Sequence, residues 1–204
     1  GQVTTHLIGN DAFQEADTTG ITRPCTKHNY LVKSVDALSR TVHEAFYVAR
    51  SGRPGPVVIA LPEDMLRERV SVPDATAFTP VEISPGKDEM NRLQDLLGQA
   101  KRPVALIGGS RWTEGASAAL MKFAERFSLP VATTFRRGHL IDATHPCYAG
   151  DFGIGPNPKL LARVKNADLL LLIGGRFGEM PSQSYSVLDI PEPQIKLVHV
   201  HPGA

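Results

Sequence analysis

Three short stretches rich in glycine or threonine lie at the ends of apolar runs. They could bind a phosphate group or an aromatic ring. They are Gly108-Gly109-Ser110, Thr133-Thr134-Phe135 and Gly174-Gly175-Arg176-Phe177. Glycine lets the backbone approach a ligand closely, and a following helix can offer free N–H groups to an anion. None of the three matches the Gly-x-Gly-x-x-Gly pattern. Tight turns without a ligand are therefore an equal alternative to a nucleotide site.

Two of the seven histidines lie close together, His199 and His201. On a strand their spacing puts both rings on one face, where they could bind a metal or face a nucleotide. A pair without a third ligand is more often structural, so no metal site is predicted. Trp112, the single tryptophan, is expected to pack under a helix rather than stack on a base.

The charges of the chain are balanced, with 22 Lys and Arg against 21 Asp and Glu. This balance argues against binding to nucleic acid or to an anionic membrane. The longest purely apolar runs, such as Leu169–Ile173, are far shorter than the ~20 residues that cross a bilayer. The first residues also lack the basic and apolar regions of a signal peptide. We therefore expect a cytoplasmic protein with no nucleic-acid or membrane partner.

The first part of the chain is predicted to end in a helix followed by a buried strand. Apolar residues recur at helical spacing over residues 38–49, with Ser34 as the expected N-cap. Glycine and proline interrupt residues 50–56, and the continuous apolar run 57–61 is typical of a strand in a parallel sheet. Residues 64–85 then turn to charges and prolines without periodicity, which predicts a connector between domains.

Residues 86–204 alternate regularly between helices and strands. Helices are predicted over residues 88–100, 114–127 and 159–166, and strands over residues 104–107, 131–134, 169–173 and 196–200. This order predicts an α/β fold in which a doubly wound, Rossmann-like parallel sheet carries helices on both faces. The carboxyl ends of its strands would bring the three stretches to one edge, where such sheets bind ligands.

Three segments of the first part carry motifs that are specific in order and spacing. They are residues 1–3 with 8–15 (GQV, IGNDAFQE), residues 21–24 with 26–29 (ITRP, TKHN) and residues 51–58 (SGRPGPVV). The chain resembles the acetolactate synthase large subunit and its thiamine-dependent relatives. The resemblance implies that residues 1–63 are the C-terminal part of a pyrimidine-binding α/β domain. Residues 86–204 would be the central nucleotide-binding-like domain, whose last element need not be included.

The resemblance implies an enzyme that uses thiamine diphosphate and Mg²⁺ as a lyase or carboligase on a 2-keto acid or related acyl donor. Such an enzyme takes a small-molecule substrate and is expected to be a homodimer or homotetramer. In the family, the glutamate that activates the aminopyrimidine lies before this segment, and the Gly-Asp-Gly stretch that holds the metal lies after it. The 204 residues alone are therefore expected to be inactive.

The resemblance also assigns site residues. Phe13 and Gln14 would lie on the substrate side of the cofactor, although Gln14 could instead cap a helix turn. Arg53 would reach toward a flavin in the central domain, or else brace its own Gly-Pro loop. A nucleotide-binding role is carried over to Gly108, Gly109, Thr133, Thr134, Gly174, Arg176 and Phe177.

Several residues depart from the flavin-containing members of the family. Gly178, Glu179 and Met180 replace two aspartates and an arginine, residues 150–155 replace a Met-His-Gly stretch, and Glu63 replaces a lysine. These changes count against true acetolactate synthesis, and we expect FAD or ADP to be held weakly or not at all. The alternative function is a non-catalytic module that binds FAD or ADP, or that only stabilises an oligomer.

Overall fold

Two parallel strands and one long helix form the framework of the first of two units, Gly1–Glu82 and Ile83–Ala204. The computed structural model describes residues 2–79 and 81–203. In the N-terminal unit, β1 (His28–Leu31) pairs in parallel with β2 (Val57–Ala60). The connection between them contains α2 (Leu38–Arg50), and a short α1 (Thr18–Thr22) precedes β1.

The start of α2 differs from its predicted form. A 3₁₀ turn over Val35–Ala37 precedes the helix, which begins at Leu38 with no side-chain cap. The Ser34 hydroxyl lies 3.4 Å from the Asp36 carboxylate and makes no capping hydrogen bond. Ser34 therefore stands at the N-cap position of the 3₁₀ turn that leads into α2, but its side chain does not cap the helix, because the tighter turn takes the place of a capped first turn.

Most of the predicted connector, residues 64–85, belongs to the N-terminal unit. A 3₁₀ helix covers Asp64–Arg67, and Phe78 packs against α2 further along. The Phe78 ring lies 5.9 Å from the ring of His43 and 5.3 Å from that of Tyr47, both edge-on. The guanidinium of Arg50 lies over the same ring at 5.6 Å. This segment is therefore attached to the helix by aromatic contacts.

The C-terminal unit contains one five-stranded sheet in which every pairing is parallel. Its strands are β3 (Pro103–Ile107), β4 (Val131–Thr134), β5 (Tyr148–Phe152), β6 (Leu169–Ile173) and β7 (Lys196–Val200), and its helices are α3 (Lys87–Gln99), α4 (Glu114–Arg126) and α5 (Pro158–Lys165). The strand order is β5-β4-β3-β6-β7. The predicted parallel α/β fold is confirmed.

Each face of this sheet buries its own set of apolar side chains. One set combines Ala105, Ile107, Val131, Leu169 and Leu171 with Leu97 of α3 and Leu120 of α4. The other combines Val104, Leu106, Ala132, Leu170 and Leu172 with Leu160 and Val164 of α5. Alternate residues of a strand point to opposite faces, so continuously apolar strands require helices on both sides. Each fully buried leucine contributes about 1.5 to 3 kcal/mol through burial.

Two strands were missing from the prediction. β1 begins with His28 and Asn29, and β5 contains Gly150 at φ +119° and the exposed Asp151. β5 is an outer strand of its sheet, so it lacks the apolar run that marks an inner strand. Within residues 2–79 and 81–203, no helix is long and apolar enough to cross a membrane.

Candidate functional site

The carboxyl edge of the five-stranded sheet brings together the three stretches that the sequence singled out. From β3 the chain goes to β4 and β5 on one side, and then returns to β6 and β7 on the other side of β3. The order of strands therefore reverses between β3 and β6. Open α/β sheets bind ligands outside the carboxyl ends of the strands at such a switch point.

The glycines at this switch point are needed for contact between two loops. Gly109 and Gly174 have φ values of +75° and +76°. A Cβ added to Gly109 would collide with the Gly174 carbonyl, and one added to Gly108 would collide with the Thr134 hydroxyl. The loops after β3 and β6 therefore approach each other as closely as backbone allows. Tight packing explains these glycines without a ligand.

Trp112 covers the same loops. Its indole N–H donates to the Gly108 carbonyl at 2.7 Å, and the side chain packs against the core cluster on the α3 and α4 face. A Cβ added to Gly174 would lie 3.1 Å from Nε1 of Trp112. The expectation that Trp112 packs within the protein agrees with this position.

One of the free N–H groups at the start of α4 is already bound by the protein itself. The Thr113 hydroxyl accepts a hydrogen bond from the Ala116 N–H at 3.1 Å, and Glu114 stands in the first turn. A carboxylate there interacts favourably with the positive end of the helix. It also repels a phosphate approaching the same place.

A carboxylate ties the ends of β4 and β5 together. The buried Thr133 hydroxyl lies 3.4 Å from one oxygen of Asp151, and the Gly153 N–H donates to the other at 3.1 Å. Beside them, the Arg136 guanidinium lies 4.9 Å from the centre of the Phe135 ring. This part of the edge therefore combines an anion with a stacked cation.

The remaining predicted residues of the edge lie around the end of β6. Arg176 is exposed, while Phe177 packs against the core cluster on the α5 face. His199 lies 2.8 Å through Nε2 from the Gly175 carbonyl, and its ring centre is 5.2 Å from that of His201. Among the residues with described positions, no three His, Cys, Asp or Glu side chains group together as metal ligands.

In the N-terminal unit, the loop from Gly9 to Glu15 is held by the Glu15 carboxylate. One carboxylate oxygen accepts a hydrogen bond from the Gly9 N–H, and the other accepts one from the Ala12 N–H at 2.9 Å. These bonds hold the pKa of Glu15 below its ordinary value of 4.5. Asp11 and Gln14 adopt positive φ values of +53° and +63° within the loop.

Phe13 and Gln14 are displayed on the outside of this loop. The Phe13 side chain is 89% exposed, and Gln14 is also exposed. A cavity of about 420 Å³ lies beside them, lined among others by Gln2, Glu15 and Leu31 and by neither Phe13 nor Gln14. The cap of α1 is the Asp17 carboxylate, which accepts from the Gly20 N–H at 2.9 Å. Gln14 is therefore not the residue that caps this helix.

The loop that carries Arg53 is braced by another residue. The Lys27 ammonium donates to the carbonyl oxygens of Ser51 and Arg53, at 3.1 Å for the latter. The aliphatic stem of Lys27 also packs against Gly55. Arg53 itself is exposed, so its guanidinium is accessible to an anion or to an aromatic ring.

Comparison of the sequence with known proteins identifies its family. Residues 90–204 match the sequence profile described as thiamine pyrophosphate enzyme, central domain. The chain belongs to the thiamine pyrophosphate enzyme family. The resemblance predicted from the sequence is thereby confirmed.

Relatives of the chain include acetolactate synthases. The large subunit from Haemophilus influenzae is 32% identical over 98% of the chain and 35% of its own length. The large subunit from Corynebacterium glutamicum is 33% identical over 98% of the chain and 32% of its own length. The mitochondrial catalytic subunit from Saccharomyces cerevisiae is 37% identical over 88% of the chain and 28% of its own length. The chain spans about a third of the length of these curated relatives.

Five residues that shape the candidate sites of the chain were not predicted to do so. They are Glu15, Lys27, Trp112, Thr113 and Asp151. Thr113 could have been recognised, because a threonine directly before a helix that starts with glutamate is a typical N-cap. The other four bind groups that turns and loops of the folded chain bring close to them.

Proposed function

We propose that this chain is part of a thiamine-diphosphate-dependent lyase or carboligase that acts on a 2-keto acid or a related acyl donor. Support comes from the family membership and from acetolactate synthase relatives that align with nearly the whole chain. The observation that carries the proposal is the loop from Gly9 to Glu15, which displays an aromatic ring and an amide side by side.

In this proposal Phe13 and Gln14 form the substrate side of the reaction site. The amide of Gln14 can donate to a keto or carboxylate oxygen, while the exposed Phe13 ring provides an apolar wall beside it. Glu15 fixes both residues by binding the backbone on either side of the turn. Thiamine diphosphate, held with Mg²⁺, supplies the electron sink for breaking or forming a bond next to a carbonyl.

The wider features of the enzyme are also proposals. The active form is a homodimer or homotetramer of a protein longer than this chain, and the 204 residues alone do not turn over substrate. Its partner is a small-molecule keto acid. A cytoplasmic location is proposed, although the relative from Saccharomyces cerevisiae is a mitochondrial subunit.

One observation favours a second function for the C-terminal unit, that of a scaffold without a bound nucleotide. The glycines carried over as nucleotide-binding residues, Gly108, Gly109 and Gly174, are used for packing between loops. We propose that the residues at this edge hold neither FAD nor ADP in the conformation described. We therefore assign no step of the reaction to a nucleotide.

The Gln14→Asn variant of the full-length enzyme tests the proposed role of the loop. Shortening the side chain withdraws the amide from the substrate, so we expect kcat/KM for the 2-keto acid to fall about tenfold to a hundredfold. Affinity for thiamine diphosphate should be unchanged. Gln99→Asn, at the end of α3, is the matched control and should keep full activity. Equal kcat/KM for Q14N and the wild type would rule out this role.

A further inference from the structure

Trp112 lies at the point where the strand order reverses. Its indole N–H is bonded to the Gly108 carbonyl in the loop after β3, at 2.7 Å. Gly174 belongs to the loop after β6. A Cβ added to it would lie 3.1 Å from the same indole nitrogen. The Trp112 side chain is therefore bonded to the loop after β3 and lies beside the loop after β6, at the edge where open α/β sheets bind ligands.

Two of the backbone polar groups at this point are also bound by side chains of the protein. The Thr113 hydroxyl binds the Ala116 N–H at the start of α4, and Glu114 adds a negative charge to the first turn. On the other side, His199 binds the Gly175 carbonyl at 2.8 Å. A nucleotide would thus meet the Trp112 indole beside both loops, one helix N–H already bonded, and a carboxylate in the first turn of α4.

We propose that Trp112 closes the crevice between β3 and β6 to adenine nucleotides, with its indole standing where the ligand would bind. An incoming nucleotide must break the bond to Gly108 and expose the face of the indole that packs on the core. Only the small fraction of molecules with an open crevice can bind, so the apparent affinity for the nucleotide falls in proportion to that fraction. This role does not depend on the carbon–carbon chemistry proposed above.

Calorimetric titration of the chain with ADP, and separately with FAD, tests the closure. The wild type should show no saturable binding at concentrations up to about 1 mM. Trp112→Ala removes the indole, and its affinity for ADP should rise at least about tenfold above the wild-type limit. Phe127→Ala is the matched control. It removes a half-buried aromatic ring after the far end of α4 and should leave nucleotide affinity at the wild-type level.

Two further measurements protect the test from loss of folding in W112A. Circular dichroism shows whether that variant is folded. Trp112→Phe keeps a ring but lacks the indole N–H, and it should gain part of the affinity seen in W112A. Because Trp112 is the single tryptophan, its fluorescence in the wild type should stay constant as ADP is added.

Two results would overturn the proposal. One is binding of ADP or FAD to the wild type well below about 1 mM, which would show that the indole does not close the crevice. The other is equal, undetectable binding by the wild type and by every folded Trp112 variant. That result would show that something other than Trp112 excludes nucleotides.

Discussion

The Glu15 carboxylate accepts a hydrogen bond from the backbone N–H of Ala12 at 2.9 Å, while its second oxygen accepts one from Gly9. Between these two donors the chain makes a turn with Asp11 at φ +53°. A positive φ is unfavourable for a residue other than glycine. The carboxylate therefore holds a conformation that Phe13 and Gln14 depend on.

Replacing this carboxylate should loosen the loop. In Glu15→Gln an amide NH₂ replaces one acceptor oxygen, so only one of the two backbone donors keeps its partner. We expect the Gly9 and Ala12 amides to exchange with solvent about tenfold faster, measured by hydrogen exchange. Glu68→Gln, at an exposed position of the same unit, is the control. Unchanged exchange in E15Q would mean that the turn holds itself.

The loop should also depend on pH. The hydrogen bonds from Gly9 and Ala12 lower the pKa of Glu15 below 4.5. Because the pKa is depressed in the folded state, the stabilisation is complete above about 4.5 and is lost as the pH falls through the lowered pKa. Amide chemical shifts of Gly9 and Ala12 should therefore stay constant from about pH 7 to pH 5 and change below that. In E15Q the same shifts should show no such transition.

The glycine pair at the switch point should be sensitive to a single methyl group. Gly109→Ala and Gly174→Ala add a Cβ to backbone with positive φ and also place it against a facing carbonyl. Strain and collision together should lower the free energy of unfolding by about 3 kcal/mol or more. Urea unfolding measures this change in the C-terminal unit.

Gly155→Ala is the matched control for that experiment. Gly155 has a φ of +61°, but a Cβ there would meet nothing within 4 Å. Only the cost of the left-handed conformation remains, about 1 to 2 kcal/mol. Equal destabilisation by G109A and G155A would contradict the inference that the two loops are in close contact.

Phe78 should determine how firmly the segment after residue 67 is attached to α2. Its ring contacts His43 and Tyr47 edge-on and lies under Arg50. Each aromatic contact is worth about 0.5 to 1.5 kcal/mol beyond burial. In Phe78→Leu we expect limited proteolysis to cut residues 68–79 faster. Phe46 is an exposed aromatic residue of α2, and in the control variant Phe46→Leu the same segment should be cut at the wild-type rate.

The inner strands and the helices could be predicted from the sequence because burial leaves a strong pattern in them. The segments predicted as strands at residues 104–107, 131–134 and 169–173 correspond to the inner strands β3, β4 and β6. β1 and β5 leave no such pattern. The residues of β1 begin with a polar pair, and β5 carries a glycine at positive φ.

The candidate site was less accessible to prediction than the fold. The glycines after β3 and β6 suggest a close approach, but the sequence does not say whether a ligand or another loop is approached. That choice is set by contacts between distant residues, such as Gly109 with Gly174. Likewise, the role of Glu15 rests on a turn whose backbone angles are not evident from residue types alone.

Calorimetric titration of the full-length enzyme with thiamine diphosphate in the presence of Mg²⁺ tests the central claim most directly. We predict saturable binding that is lost when Mg²⁺ is removed, together with turnover of a 2-keto acid by the loaded protein. A folded full-length protein that shows no saturable binding of thiamine diphosphate would contradict the assignment of this chain to a thiamine-dependent catalyst.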